Sequence, residues 1–214
     1  MPRIIDHAQV HARMLADGFR GAYPNGGAYA FARGTQVGAR GWALRDDPTI
    51  RPEARSVLRI LQPEVPATLA RAAVAVWQQH LPGVVWVMPM THWAYELRHG
   101  GGAALESLVR GAGIDPGSLR DRADGSAIEF AEGESAALAA LLEGLPGALE
   151  DSDFLLAFPG RPALCMVHHH GQLWWTTSDA RLLAALEGVA ILCGTAAGPR
   201  CGAGFSLRPN PRRG

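Results

Sequence analysis

Two groups of histidines carry the most evident chemistry in the chain. His92, Glu96 and His99 stand at i, i+4 and i+7. On a regular helix these positions fall at about 0°, 40° and 340°, a single narrow stripe. Two imidazoles and a carboxylate on such a stripe suit a zinc-like ion with one position left open for water. A straight helix cannot bring all three to one ion without strain, so further ligands must come from elsewhere. The second group is His168, His169 and His170, which follows Cys165 and Met166 in a strand-like segment. With a period of two, Met166, His168 and His170 share one face, while Cys165, Val167 and His169 share the other. His168 and His170 can then chelate together if a third ligand is imported. Read this way, the protein is a small metal-assisted hydrolase. His92, His99, His168 and His170 are the candidate ligands of a divalent metal such as zinc. His92, Glu96 and His99 are the candidate catalytic groups, with Glu96 as general base for metal-bound water.

Other chemistries are excluded more firmly. The stripe is not HExxH, so the zincin mechanism does not apply. Glu96 and His99 match one arm of a di-iron bundle, but the companion helices are missing. Cys165 faces away from His168, and no acidic residue is placed to orient a Cys–His pair. All 20 basic residues are arginine, which removes Schiff-base chemistry and the lysine of a phosphate-binding loop. The glycines near Gly18–Gly27 lack the strand-then-helix context of a dinucleotide site. Cys165, Cys193 and Cys201 include no CxxC pair, so free thiols are expected rather than a disulfide framework.

Charge gives a different reading. The 20 arginines are balanced by 20 acids, which argues against a nucleic-acid or membrane partner. The balance is uneven, with 11 Arg against 7 acids in residues 1–100 and 5 Arg against 13 acids in residues 101–192. Either the two halves pack charge against charge, or Asp121, Asp124, Glu132 and Glu134 attract a basic protein or peptide. No catalytic constellation is complete, so the first functional reading is a cytoplasmic protein- or peptide-recognition module that needs no cofactor. Its binding face would hold Tyr95, His168, His170, Trp175 and those four acids. The metal-assisted hydrolase is the alternative.

The elements that must position these residues are partly legible. The spacing predicts helices over 4–19, 66–80, 92–99, 103–110, 134–145 and 179–187, and a short helix within 53–61. Strands are expected at 84–88, 127–131, 154–158, 163–169 and 173–176, the last two as a hairpin turning at His170-Gly171. That turn sets Val167 opposite Trp174. The favoured facing puts this pair in the core and leaves the histidines beside Trp175, which spares them desolvation. Residues 21–63 fit either short strands or a long loop. The order of elements predicts an α+β fold, a mainly antiparallel sheet with helices packed on one face. Residues 1–192 are expected to form one compact domain, with 1–100 and 101–192 as its possible subdomains. Residues 193–214 read as a Gly/Pro/Arg-rich tail. No run approaches the roughly 18 apolar residues of a membrane span.

Overall fold

A strand that is apolar on both sides must lie between two layers. The segments around residues 85–89, 127–130 and 154–157 have that character, and each is buried along its whole length. The computed structural model describes residues 1–22, 26–149 and 151–194, with side chains as far as residue 189. Its strands are β1 (Arg3–Ile5), β2 (Phe19–Gly21), β3 (Tyr29–Phe31), β4 (Gly38–Ala43), β5 (Leu58–Ile60), β6 (Val85–Pro89), β7 (Ala127–Phe130), β8 (Phe154–Ala157), β9 (Ala163–His168) and β10 (Gln172–Thr177). Eight of them form one sheet in the order β1-β7-β6-β8-β9-β10-β4-β5, and β2 and β3 make a separate ribbon. Every pairing in the large sheet is antiparallel except β4 with β5. Its two edge strands, β1 and β5, are three residues each.

The helices are α1 (His7–Ala16), α2 (Pro52–Arg55), α3 (Pro66–His80), α4 (Trp93–Tyr95), α5 (Gly102–Gly111), α6 (Gly117–Arg120), α7 (Ser135–Ala148) and α8 (Ala180–Gly194). α3, α5, α7 and α8 cover one face of the sheet. Their Leu69, Trp77, Leu105, Leu141 and Leu186 join Trp42, Val87, Phe154, Val167 and Trp175 in the larger core. On the other face, Val10 and Met14 of α1 and Phe19 and Tyr29 of the ribbon pack against Trp86, Met88, Leu155 and Leu164. The α+β class and the antiparallel sheet are thus as the pattern predicts. The four long helices share the larger core, but α1 packs in the second one, because the central strands are apolar on both sides and need a second cover.

The first and second halves of the chain are interleaved in the sheet, since β1, β4, β5 and β6 lie between or beside β7 to β10. Their charges pair across the fold. Arg3 donates to Glu129 at 2.6 Å, and Arg40 and Arg59 both meet Glu187. Glu129 is nearly buried and also accepts the Trp86 indole N–H at 2.9 Å. Arg3, Glu129 and Trp86 are direct neighbours across three strands, so the buried carboxylate has both a counter-charge and a neutral donor.

Several elements depart from the periodic reading. Ile4 and Ile5 belong to a strand paired with β7 rather than to the first helix. The segment 53–61 splits into α2 and β5, because Leu58–Ile60 gains a parallel partner in β4. The hairpin connection is His169-His170-Gly171, with Gly171 at φ +72°, a left-handed position that favours glycine. That extra residue sets Val167 opposite Leu173 and His168 opposite Gln172. Trp175 therefore enters the core, fully buried between Trp42 and Phe158 at ring distances of 5.5 and 5.7 Å. Trp174 lies half-buried on the opposite face, across Gly41, where a Cβ would come within 2.7 Å of the indole. The favoured assignment is reversed for the two indoles, while Cys165 and Val167 face the core as expected. Truncating Trp175 to Ala should cost about 3–5 kcal/mol, as for other buried aromatics, and Trp174→Ala clearly less. Denaturant unfolding of the two variants checks this, and a larger loss at Trp174 would contradict the packing.

Candidate functional site

The antiparallel register brings one end of five segments together: β6 runs out at Met90, β8 begins after Asp153, β9 ends at His168, β10 starts at Gln172, and β4 leads on to Asp47. Asp153 accepts from His169 twice, from its amide at 3.2 Å and from Nδ1 at 3.0 Å. Asp47 lies 3.2 Å from His170 Nδ1. A carboxylate at neutral pH can only accept, so both imidazoles donate from Nδ1, and in their neutral form the lone pair is the one on Nε2. His168 is set the other way, because its Nδ1 accepts the His170 amide at 3.2 Å.

Both carboxylates are themselves held. Asp47 accepts the amide of Thr49 at 2.9 Å, its hydroxyl at 2.6 Å and the Gln172 side-chain amide at 3.1 Å. The Thr49 hydroxyl and amide, with a smaller contribution from His170, lower the Asp47 pKa to about 2. Gln172 in turn accepts the Trp174 indole N–H at 2.8 Å. The three imidazoles crowd together, with ring centres 4.3 Å apart for His168 and His169, 4.3 Å for His169 and His170, and 5.0 Å for His168 and His170. Burial lowers the pKa of His168, Asp153 opposes this, and repulsion from the other two imidazolium charges adds to it.

One nitrogen from each of His168, His169 and His170 lies within 4.8 Å of the other two. Among the described residues this is the group of three or more ligand side chains that lies within reach of one ion. Tetrahedral zinc with bonds of about 2.1 Å sets its ligands about 3.4 Å apart. The rings must therefore turn inward by roughly an ångström to close on a metal.

The earlier stripe is arranged differently from a regular helix. His92 precedes α4 and accepts the Tyr95 amide on Nδ1 at 3.1 Å, so it acts as the helix cap. Trp93 anchors this turn in the core, with its indole N–H on the Ser126 carbonyl at 2.8 Å. After Tyr95 the chain widens into a π-helical turn over Glu96–Gly100. Each residue there advances by less than 100°, so the stripe separates. Glu96 turns fully inward, while His99 and Tyr95 face outward. The Glu96 carboxylate accepts the Thr91 hydroxyl through Oε1.

Tyr95, His99 and Asp153 line the same cavity of about 350 Å³, together with Thr91, Gly100 and Ser152. Asp153 thus borders both regions: it faces the cavity and also holds His169. His92 and His99 are not members of the close histidine group.

Sequence reasoning placed His168 and His170 in the site but omitted His169, Asp47, Asp153 and Gln172. His169 was assigned to the other face because the strand was taken to continue, whereas it ends at His168. Asp47 and Asp153 are distant in sequence and carried no local signal. Trp175 is in the core, and Trp174 occupies the place expected for it. Of the four acids, Asp124 caps Ser126, Glu132 accepts the Gly83 amide at 2.7 Å and Glu134 accepts the Ala131 amide at 2.7 Å. Asp121 is exposed at the end of α6. No helix among the described residues is long and apolar enough to cross a membrane. The tail at 195–214, including Cys201, lies outside the described residues. Comparisons of the chain with protein families, with curated proteins and with solved structures find no match.

A lowered His168 pKa means that the unfolded chain binds this proton more readily than the folded one. Its contribution to stability is present above pH 6.5, the unfolded value, and is lost as pH falls towards the lower folded value. His168→Asn keeps an acceptor for the His170 amide but cannot titrate. The variant should lose less stability than the natural protein between pH 7 and pH 5. Denaturant midpoints at both pH values test this, and parallel losses would contradict it.

Proposed function

We propose that this protein binds a divalent transition metal at the His168–His170 corner of the sheet and uses it as a hydrolytic centre. The observation that carries the reading is the pair of carboxylate-held imidazoles. Asp153 and Asp47 fix the Nδ1 protons of His169 and His170, which leaves two Nε2 lone pairs for a metal. Carboxylates in that position orient metal-bound histidines and raise their basicity. His168 completes a three-nitrogen set by giving up its bond to the His170 amide. Imidazole sets favour zinc, copper, nickel or iron over magnesium or calcium. Three protein ligands leave a position for water, whose pKa a bound metal lowers towards neutrality. Asp153, which borders the adjoining cavity, is a carboxylate that can exchange a proton with such a water.

The recognition reading has narrower support. It rests on the half-buried Trp174 next to the histidines, since most of the acids assigned to a basic partner already bind backbone amides.

Titration calorimetry of untagged protein with zinc should give one site per chain at pH 7. Proton competition should weaken it at pH 5.5. His169→Ala and His170→Ala should abolish or severely reduce binding, and Asp153→Asn and Asp47→Asn should weaken it by about 10–100-fold. Zinc binding that is unchanged in both histidine variants would overturn the proposal.

A further inference from the structure

Glu96 is the most anomalous polar side chain in the described fold. It is fully buried, and Oε1 is satisfied by the Thr91 hydroxyl. Oε2 is also sealed from solvent and has no hydrogen-bond partner among the described residues. A buried carboxylate oxygen without a donor is expensive to maintain. The local backbone is built around it. A Cβ on Gly100 would overlap Oε2, and the Ser152 hydroxyl would lie 2.9 Å from that same Cβ. Glycine at position 100 thus leaves a slot into which the carboxylate reaches. The π-helical turn supplies the wider spacing that brings Gly100 beside Glu96. Such turns are frequent at functional sites.

The slot lies directly behind the cavity wall. Thr91, Gly100 and Ser152 surround the Glu96 carboxylate, and all three line the 350 Å³ space. Asp151 and Asp153 put two carboxylates in the lining, and among the described residues no arginine joins them. The aromatic side is formed by Tyr95, with the His99 ring 5.3 Å away. Tyr95 is half exposed, with the His92 ring 6.0 Å away on another side. Converging carboxylates, two hydroxyls and an exposed phenol ring select a cation with an apolar body, through charge-assisted hydrogen bonds and a cation–π contact. The volume suits a molecule of modest size.

We infer that this cavity is a binding site for a small organic cation, an ammonium or amidinium group carried on a flat or aliphatic body. The cationic head donates to Asp151 and Asp153 at the mouth, in front of the Gly100–Ser152 wall that backs on the Glu96 carboxylate. The body lies against Tyr95. This goes beyond the metal reading and does not require it, although Asp153 belongs to both sites.

The test uses benzylammonium and benzamidinium as probes, with benzyl alcohol as the uncharged control. The full chain is titrated at pH 7 by calorimetry and followed by NMR, in excess EDTA so that metal binding has no bearing on the outcome. One saturable site is expected for at least one cation, and no saturation for the alcohol. Glu96→Gln preserves the acceptor for Thr91 but removes the charge, and it should weaken binding at least tenfold. Asp151→Asn, at the exposed mouth and outside the core, should weaken it several-fold. Gly100→Ala, whose Cβ would displace the Glu96 carboxylate, should weaken it as well. Thermal unfolding of each variant confirms that it is folded. If Glu96→Gln fails to fold, Asp151→Asn and the alcohol control decide the question. Absence of saturable binding by either cation, equal binding of the alcohol, or natural affinity in every folded variant would overturn the inference.

Discussion

Strands buried on both faces can display chemistry only where they leave the sheet. β6, β7 and β8 are enclosed between the long helices on one side and α1 with its ribbon on the other. Polar side chains in their middles need a dedicated partner, as Glu129 has in Arg3 and Trp86. The titratable groups of the candidate site lie at or beyond the strand ends. Antiparallel pairing then does the assembling. The register that sets Pro89 opposite Phe154, Phe154 opposite Val167 and Val167 opposite Leu173 aligns Met90, Asp153, His168 and Gln172 along one rim. The candidate site is a by-product of where the apolar runs stop.

Asp153 is the junction of that rim. Its backbone carbonyl accepts the Met90 amide at 2.9 Å, which ties the exit of β6 to the entry of β8. Its carboxylate fixes the tautomer of His169 and borders the cavity beside Tyr95. A change in the charge or position of one side chain is therefore felt in two places. The geometry couples the histidine corner and the cavity without any movement of the core between them.

The parts of this arrangement that were legible in sequence are those set by local period. The helix at Pro66–His80 and the strand near Val84–Met88 follow from spacing and flanking prolines, and the three-residue glycine run ends the Glu96 segment as expected. What was not legible depended on partners far away. Arg3–Ile5 is a strand only because β7 accepts it, and the same holds for Leu58–Ile60 beside β4. The indole faces were misassigned by one residue of loop length, since a slip of one inverts a strand. The histidine stripe failed for a related reason: 100° per residue does not survive a π-helical turn. Asp47 and Asp153 had no local signature, because their role exists only once the sheet has formed.

The two edges of the sheet have their own consequence. β1 and β5 are three residues long, and each carries an arginine committed to an acid on another element, Arg3 to Glu129 and Arg59 to Glu187. A longer, uncharged rim would be a template for adding strands from further copies. Here the template is too short to hold an incoming chain in register, and docking one would crowd an arginine already fixed in place. Both features work against growth of the sheet at these two edges.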